Sequence, residues 1–283
     1  MKTSEKELLK QIITQALGED QGDGDHTSIA CISPETKGAA RLFVKENGIL
    51  AGMTLAKMIV NIVDATIRFT ALKKDGAAVK KGEVAFELWG PIRSILLAER
   101  LLLNCMQRMS GIATKTHFLV KQCEGTKAMV IDTRKTTPNM RFLEKWAVRI
   151  GGGANHRFGL YDMILIKDNH IDCAGGIEKA IALANSYKGK KGLKIEVEAR
   201  SLDDVRKIMA IGRVHRIMLD NFTPGNLKKA VQLIQNKYET EASGGITEKN
   251  IKKYAKTGVN FISVGALTHS VKSLDLSLKA RIA

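Results

Sequence analysis

Residues 193–221 read LKIEVEARSLDDVRKIMAIGRVHRIMLDN. The run 193–199 is short, alternates in polarity and has strand length; 202–211 is a helical span; 216–220 is a second short apolar strand. A strand, a helix and a strand in so few residues predict two parallel strands joined by a crossover helix. The same alternation recurs outward in both directions. Strands are predicted over 128–132, 163–167, 238–243 and 261–265, and helices over 142–150, 175–187, 224–236, 247–256 and 274–281. Six strands alternating with helices predict a parallel α/β sheet, either open or closed into a barrel.

The N-terminal part follows a different pattern. A helix is predicted over 4–17, opened by a capping box of Ser4 and Glu7, with Leu8, Leu9, Ile12, Ile13, Ala16 and Leu17 on one face. The segment 19–25 holds Gly22-Asp23-Gly24-Asp25, which follows a helix rather than a strand and so reads as a loop, not as a nucleotide fingerprint. Strands over 40–45, 66–72 and 84–88 surround a helix over 54–63, and 92–123 is strongly helical with a break predicted near Ser110-Gly111. These elements predict an α+β domain with mostly antiparallel strands.

The 283 residues are 44% hydrophobic and 26% charged, enough to bury a sizeable core in one large domain or two ordinary ones. No apolar run approaches the roughly 18 residues that span a membrane. The charged start, MKTSEKELLK, does not read as a signal peptide, so a cytoplasmic protein is expected. Cys31, Cys105, Cys123 and Cys173 form no C-x-x-C pair and read as reduced thiols. The formal charge of +16 suits a solvated basic surface, a nucleic-acid partner or a small anionic substrate. Aromatic residues make up 5% of the chain, which disfavours a base-stacking platform.

The strand ends decide among these readings. In order they carry Asp132-Thr133-Arg134-Lys135, Lys167-Asp168-Asn169-His170, Glu196 with Glu198, Asp220-Asn221, Glu241-Ala242-Ser243-Gly244-Gly245 and Gly265-Ala266-Leu267-Thr268-His269. In parallel α/β barrels the C-terminal strand ends converge on one mouth, where active sites lie. Basic groups dominate the first two ends, with Arg141, His156 and Arg157 in the connection. Arginine forks match carboxylates and phosphates. Glu198 and Asp220 suit Mg²⁺ or ribose hydroxyls, with Glu196 in support, and glycines let backbone N–H groups approach a phosphate. The mouth therefore suits a polyanionic ligand carrying a sugar and a metal ion. The glycine-rich 151–157 reads as a loop placing His156 and Arg157, or as a flexible linker, and His26, His117 and His215 read as structural or solvated.

The strings EDQGDGDHTS, ERLLLNCMQRMSGIAT, DTRKTTPNMR, GGGANHRFGLYDMILIKDNHI, KIEVEA, IMLDN, EASGGI and FISVGALTHS cover nearly the whole chain in order. They resemble the quinolinate phosphoribosyltransferase family. The resemblance implies an N-terminal sandwich-like α+β domain over 1–112, an incomplete α/β barrel over 113–270 and a last helix over 271–283 packing back on the first domain. It implies transfer of phosphoribose from phosphoribosyl pyrophosphate to quinolinate with decarboxylation, giving nicotinate mononucleotide for NAD biosynthesis. Thr133, Arg134, Lys135, His156 and Arg157 would surround quinolinate, joined by Arg100 from the neighbouring subunit of a homodimer or higher oligomer. Lys167 would lie by the phosphoribosyl pyrophosphate, and Glu198 and Asp220 would hold its ribose hydroxyls and Mg²⁺. Ser243, Gly244, Gly245, Val264, Gly265, Ala266 and His269 would cradle the 5′-phosphate. Lys135, Lys167, Glu198 and Asp220 would carry the catalysis, with neither nucleic acid nor membrane as a partner. One departure is Asn139, where the family commonly has Gly; Asn tolerates positive φ better than most residues.

Overall fold

The computed structural model describes residues 3–187, 189 and 192–282. The chain divides into two compact units, one built from residues 1–115, 138–151 and 271–283 and the other from 116–137 and 152–270. The boundary thus falls a few residues beyond 112, and 138–151 folds with the first unit rather than with the barrel.

The first unit holds helices α1 (Thr3–Gln21), α2 (His26–Cys31), α3 (Met53–Val63) and the start of α4 (Ile92–Gln122), with strands β1 (Lys37–Val44), β2 (Gly48–Ile49), β3 (Arg68–Ala71), β4 (Ala78–Val79) and β5 (Val84–Pro91). Helix α5 (Arg141–Ile150) and strand β12 (Leu276–Ile282) complete it. Its main sheet runs β12-β1-β5-β3, antiparallel throughout. Strand β1 alternates, burying Gly38, Ala40, Leu42 and Val44, as period-two patterning demands of a sheet with one face on the core. Phe86, Leu88, Ile59, Ile95, Leu102 and Met106 are almost wholly buried in the same unit. Glu144 of α5 is buried, and the Arg108 guanidinium of α4 meets it at 2.8 Å, so the ion leaves water with its partner.

Four expectations fail in this unit. The predicted C-terminal helix is strand β12, paired with β1 from Gly38↔Ile282 to Val44↔Leu276. Leu274, Leu276 and Leu278 are buried at alternate positions, a period that only a strand turns inward. Helix α4 does not break at Gly111. A Cβ there would collide with the Lys272 carbonyl, so the glycine admits a crossing chain and is no helix terminus. Ser4 lies inside α1 instead of capping it. The loop expected over 19–25 is shortened by α1 at one end, and at the other Asp25 caps α2 by accepting the Ser28 N–H at 3.0 Å. Asn139 adopts φ +62°, the conformation that its side-chain type tolerates.

The second unit is a six-stranded, wholly parallel sheet in the order β6 (Met129–Ile131), β11 (Phe261–Ser263), β10 (Glu239–Ser243), β9 (Arg216–Asp220), β8 (Ile195–Ala199), β7 (Ile164–Ile166). Helices α6 (Asp168–Ala174), α7 (Ile177–Ser186), α8 (Leu202–Ile211), α9 (Pro224–Ile234), α10 (Ile251–Ala255) and α11 (Ala266–His269) connect the strands. The first two strands lie at opposite edges of the sheet, so the barrel is incomplete. Beside β6, Ala154 bridges Ile131 in parallel. The span expected as one helix over 175–187 is preceded by a separate short helix, α6, which starts at the strand end itself.

The Gly111 contact yields a test. Were Gly111 a helix interruption, Gly111→Ala would stabilise the protein by about 1 kcal/mol. Because a methyl meets the Lys272 carbonyl, the substitution instead destabilises it by about 1–3 kcal/mol. Denaturant unfolding should show a lower midpoint at an unchanged slope.

Candidate active site

Sheet register brings most of the predicted residues to one edge. Asp220 pairs with Ser243 across β9 and β10, and Ile166, just before Lys167, pairs with Val197, just before Glu198. Strand alternation turns Ile195, Val197 and Ala199 to one face and Glu196 with Glu198 to the other. The Glu198 carboxyl is pushed above the usual range by burial and then by the charge of Asp220, with Lys167 acting in the opposite direction. Two neighbouring carboxylates with one lysine beside them form a donor set that fits a divalent cation or a sugar diol.

The glycine turns are built for close approach. Gly244 has φ +89°, and a Cβ there would run into the Asn221 side chain and backbone. Gly245, at φ +59°, faces open space. A Cβ on Gly265 would sit 3.1 Å from the Lys135 side chain and 3.2 Å from the His269 ring, which places those two groups against the same glycine. The Thr268 hydroxyl donates to the Lys135 carbonyl at 2.7 Å, and Thr133 Oγ1 accepts the Lys135 N–H at 3.0 Å. The turn carrying Thr133, Arg134 and Lys135 is thus tied to the β11–α11 turn, which carries Val264, Gly265 and Ala266.

The glycine-rich segment is a pinned loop. Ala154 donates to Val130 at 2.9 Å, and the buried Asp132 carboxylate accepts the His156 N–H at 2.9 Å and the Asn155 amide at 2.5 Å. The half-buried Arg157 donates through Nη1 to the Met163 carbonyl at 3.1 Å. Its pKa is lowered by burial and then by the Arg134 guanidinium, so two cations face each other where an anion would relieve both.

His156, expected among the residues around quinolinate, has a buried ring. Its side chain is 6% exposed, and Nε2 lies 3.1 Å from Glu196 and 3.4 Å from Glu241. Arg216 Nη1 meets Glu241 at 2.9 Å, and its guanidinium lies over the Phe261 ring at 3.9 Å. Among the described residues, the group of three with metal-ligand atoms within 4.8 Å of one another is His156, Glu196 and Glu241, not Glu198 and Asp220. Arg216 already supplies the counter-charge there, so we read the triad as a proton-sharing ion cluster. Sequence reasoning missed Arg216, Asp132 and Thr268, and gave Glu241 no role. Arg100, exposed on α4, belongs to the first unit, as does Arg141. The cysteines are all free, and burial pushes the Cys105 thiol to about 11.

Burial, and then the charge of Glu196, raise the Glu241 carboxyl from an ordinary 4.5 to about 8. A raised carboxyl favours the protonated fold. Its contribution is complete below the unfolded value and is lost as pH rises towards about 8. Wild-type protein should therefore lose more than about 1 kcal/mol relative to Glu241→Gln across that window. Parallel unfolding curves for the two proteins would show it.

The quinolinate phosphoribosyl transferase C-terminal domain family matches residues 112–279, and the N-terminal domain family matches residues 25–110. The chain is 46% identical over 288 residues to the chloroplastic nicotinate-nucleotide pyrophosphorylase (carboxylating) of Oryza sativa subsp. japonica, covering 96% of this chain and 77% of that one. It is 44% identical over 270 residues to a probable nicotinate-nucleotide pyrophosphorylase (carboxylating) of Bacillus subtilis, covering 95% and 92%. The crystal structure of NadC from Streptococcus pyogenes matches with a TM-score of 0.93 at 39% identity, with 97% of each chain covered. The nicotinate-nucleotide pyrophosphorylase structure from Francisella tularensis matches at 0.91 and 41% identity, over 97% of this chain and 96% of that one. With both domain families matched in order and relatives aligned over nearly its whole length, the chain belongs to the quinolinate phosphoribosyltransferase family.

Proposed function

We propose that the chain transfers the phosphoribosyl group of phosphoribosyl pyrophosphate to quinolinate with loss of CO₂, giving nicotinate mononucleotide and pyrophosphate for NAD biosynthesis. One observation carries this reading: the sheet edge sorts its chemistry, with cations at Arg134, Lys135 and Arg157, carboxylates at Glu198 and Asp220, and glycine turns at 244–245 and 265.

Arg134 and Arg157 take the two carboxylates of quinolinate, which relieves the repulsion between their guanidinium groups. Glu198 and Asp220 hold the ribose hydroxyls, and Lys167 lies beside them. Ser243, Gly244 and Gly245 take the 5′-phosphate with Gly265 and His269, and Lys135 reaches the same space. Glu198 and Asp220 would also hold a Mg²⁺, which would supply positive charge to the departing pyrophosphate. The ring nitrogen bonds to C1′ as the bond from C1′ to pyrophosphate oxygen breaks, so the protein acts by positioning and by fixed charge. The cationic ring then stabilises the electron pair left on C2 when the adjacent carboxylate departs as CO₂, and a proton from solvent takes up that pair, so no organic cofactor is required.

We further place Arg100 in the site of a partner subunit in a homodimer, since it is an exposed cation followed by the apolar run Leu101-Leu102-Leu103 of α4. Among the described residues no helix is long and apolar enough to cross a membrane. We assign the chain to the cytoplasm on its four free cysteines, although the rice relative is chloroplastic by name.

The direct test is an assay with quinolinate, phosphoribosyl pyrophosphate and Mg²⁺, with mass detection of nicotinate mononucleotide. Each charge-assisted hydrogen bond contributes roughly 1.5–3 kcal/mol, so Arg134→Ala should weaken quinolinate binding at least about tenfold and leave the fold intact. Calorimetry showing unchanged affinity removes Arg134 from the site. Mixing inactive Arg100→Ala with inactive Lys135→Ala protein should restore activity, because a mixed dimer holds one doubly damaged site and one intact site. No recovery, with mixed dimers confirmed by native mass spectrometry, places Arg100 outside the partner's site.

A further inference from the structure

The cluster of His156, Glu196, Arg216 and Glu241 lies on the inward face of the second unit, one pleat below the ligand-bearing edge. Glu196 is two residues before Glu198 on β8, and Glu241 is two residues before Ser243 on β10. Glu196 pairs in register with Arg216, and Glu241 with Phe261. Both carboxylates are wholly buried. Such groups are retained in a folded protein only when each charge is matched.

The matching is directional. Arg216 gives Nη1 to Glu241 at 2.9 Å and spends Nε and Nη2 on Glu239, at 3.3 and 3.2 Å. The His156 ring joins the cluster from the loop. Its Nδ1 accepts the Arg157 backbone N–H at 2.6 Å, so the neutral ring carries its proton on Nε2. That nitrogen faces Glu196 at 3.1 Å and Glu241 at 3.4 Å. The ring is therefore hydrogen-bonded above, to the main chain of the next residue, while below Nε2 packs at ion-pair distance from two carboxylates without an aligned hydrogen bond to either. That next residue is Arg157, whose guanidinium stands against Arg134.

We infer that Glu196 and Glu241, with Arg216 as their anchor, are positioning residues for quinolinate recognition: through the two nitrogens of His156 they fix the backbone of Arg157 and hence the aim of its guanidinium. None of the three need touch substrate. This rests on the assignment of Arg157 to a quinolinate carboxylate, and it adds a chain of cause from the sheet interior to the substrate. The arrangement has the logic of outer partners that orient a metal-bound histidine, with a main-chain amide in place of the metal.

Two measurements separate this inference from the functional reading. The first needs no substrate. In protein labelled with ¹⁵N-histidine, the His156 signals, assigned by their loss in His156→Gln, should report a neutral ring protonated on Nε2. Glu196→Ala should broaden or shift them, and Glu196→Gln, whose amide oxygen still accepts, should return them. A wild-type ring protonated on Nδ1 overturns the inference whatever the variants do, including the case in which Glu196→Ala fails to fold. The second is steady-state kinetics with each substrate varied. Glu196→Ala should raise KM for quinolinate about ten- to a hundredfold, the usual cost of losing an orienting partner. KM for phosphoribosyl pyrophosphate should change less than about threefold, and Glu196→Gln should recover most of the loss. An equal rise in both KM values shows general damage and overturns positioning. Absent turnover of quinolinate by wild-type protein would sink the functional reading and leave the tautomer result standing.

Discussion

A carboxylate on the inward face of a parallel strand must find positive charge or a proton, because no water lies there to solvate it. Strand β8 is buried at all five positions and carries two such groups. Its apolar residues face one side, and alternation then forces both glutamates to the other. Much of the second unit follows from that constraint. Arg216 faces the buried pair from β9, the His156 ring reaches in from a loop, and the Glu241 proton lessens the remaining charge. The outer carboxylate Glu198 is set by burial and by the charge of Asp220, with Lys167 and Arg200 acting in the opposite direction.

The barrel was legible because its signal is local. Periodicity over 195–199, 202–211 and 216–220 needs nothing beyond the neighbouring residues, and the observed elements there start and end close to the predicted ones. Which residues gather at the strand ends was legible for the same reason, since Lys167, Glu198, Asp220 and Ser243 lie at or next to the ends of predicted strands. What escaped were relations set by distant parts of the chain. Gly111 signals a helix break unless Lys272 is known to cross it. Glu241 looks like one more polar strand end until Arg216 is seen in the adjacent strand. That the His156 ring lies buried near Glu196 and Glu241 is visible only in the packed sheet. The C-terminal error is of another kind: the alternating Leu274, Leu276 and Leu278 were visible, and helix-favouring neighbours such as Lys279 and Ala280 outweighed them.

Electrostatics at the sheet edge divides the labour of the second unit. The interior cluster packs the Arg216 guanidinium against Glu241 and Glu239. At the edge, Arg134 lowers the Arg157 pKa on one flank and Asp220 raises that of Glu198 on the other.

Strand β12 gives the chain an order of assembly. Strand β1 lies between β5 and β12, and Gly38 waits for Ile282. During synthesis the first unit can form its β1–β5 pairing early, yet the other side of β1 stays an open edge with unpaired backbone groups. The second unit is made in the meantime, and β12 then closes that edge. Folding of the first unit is thus limited by its most distant contact, and a nascent chain exposes one strand edge until β12 has been made.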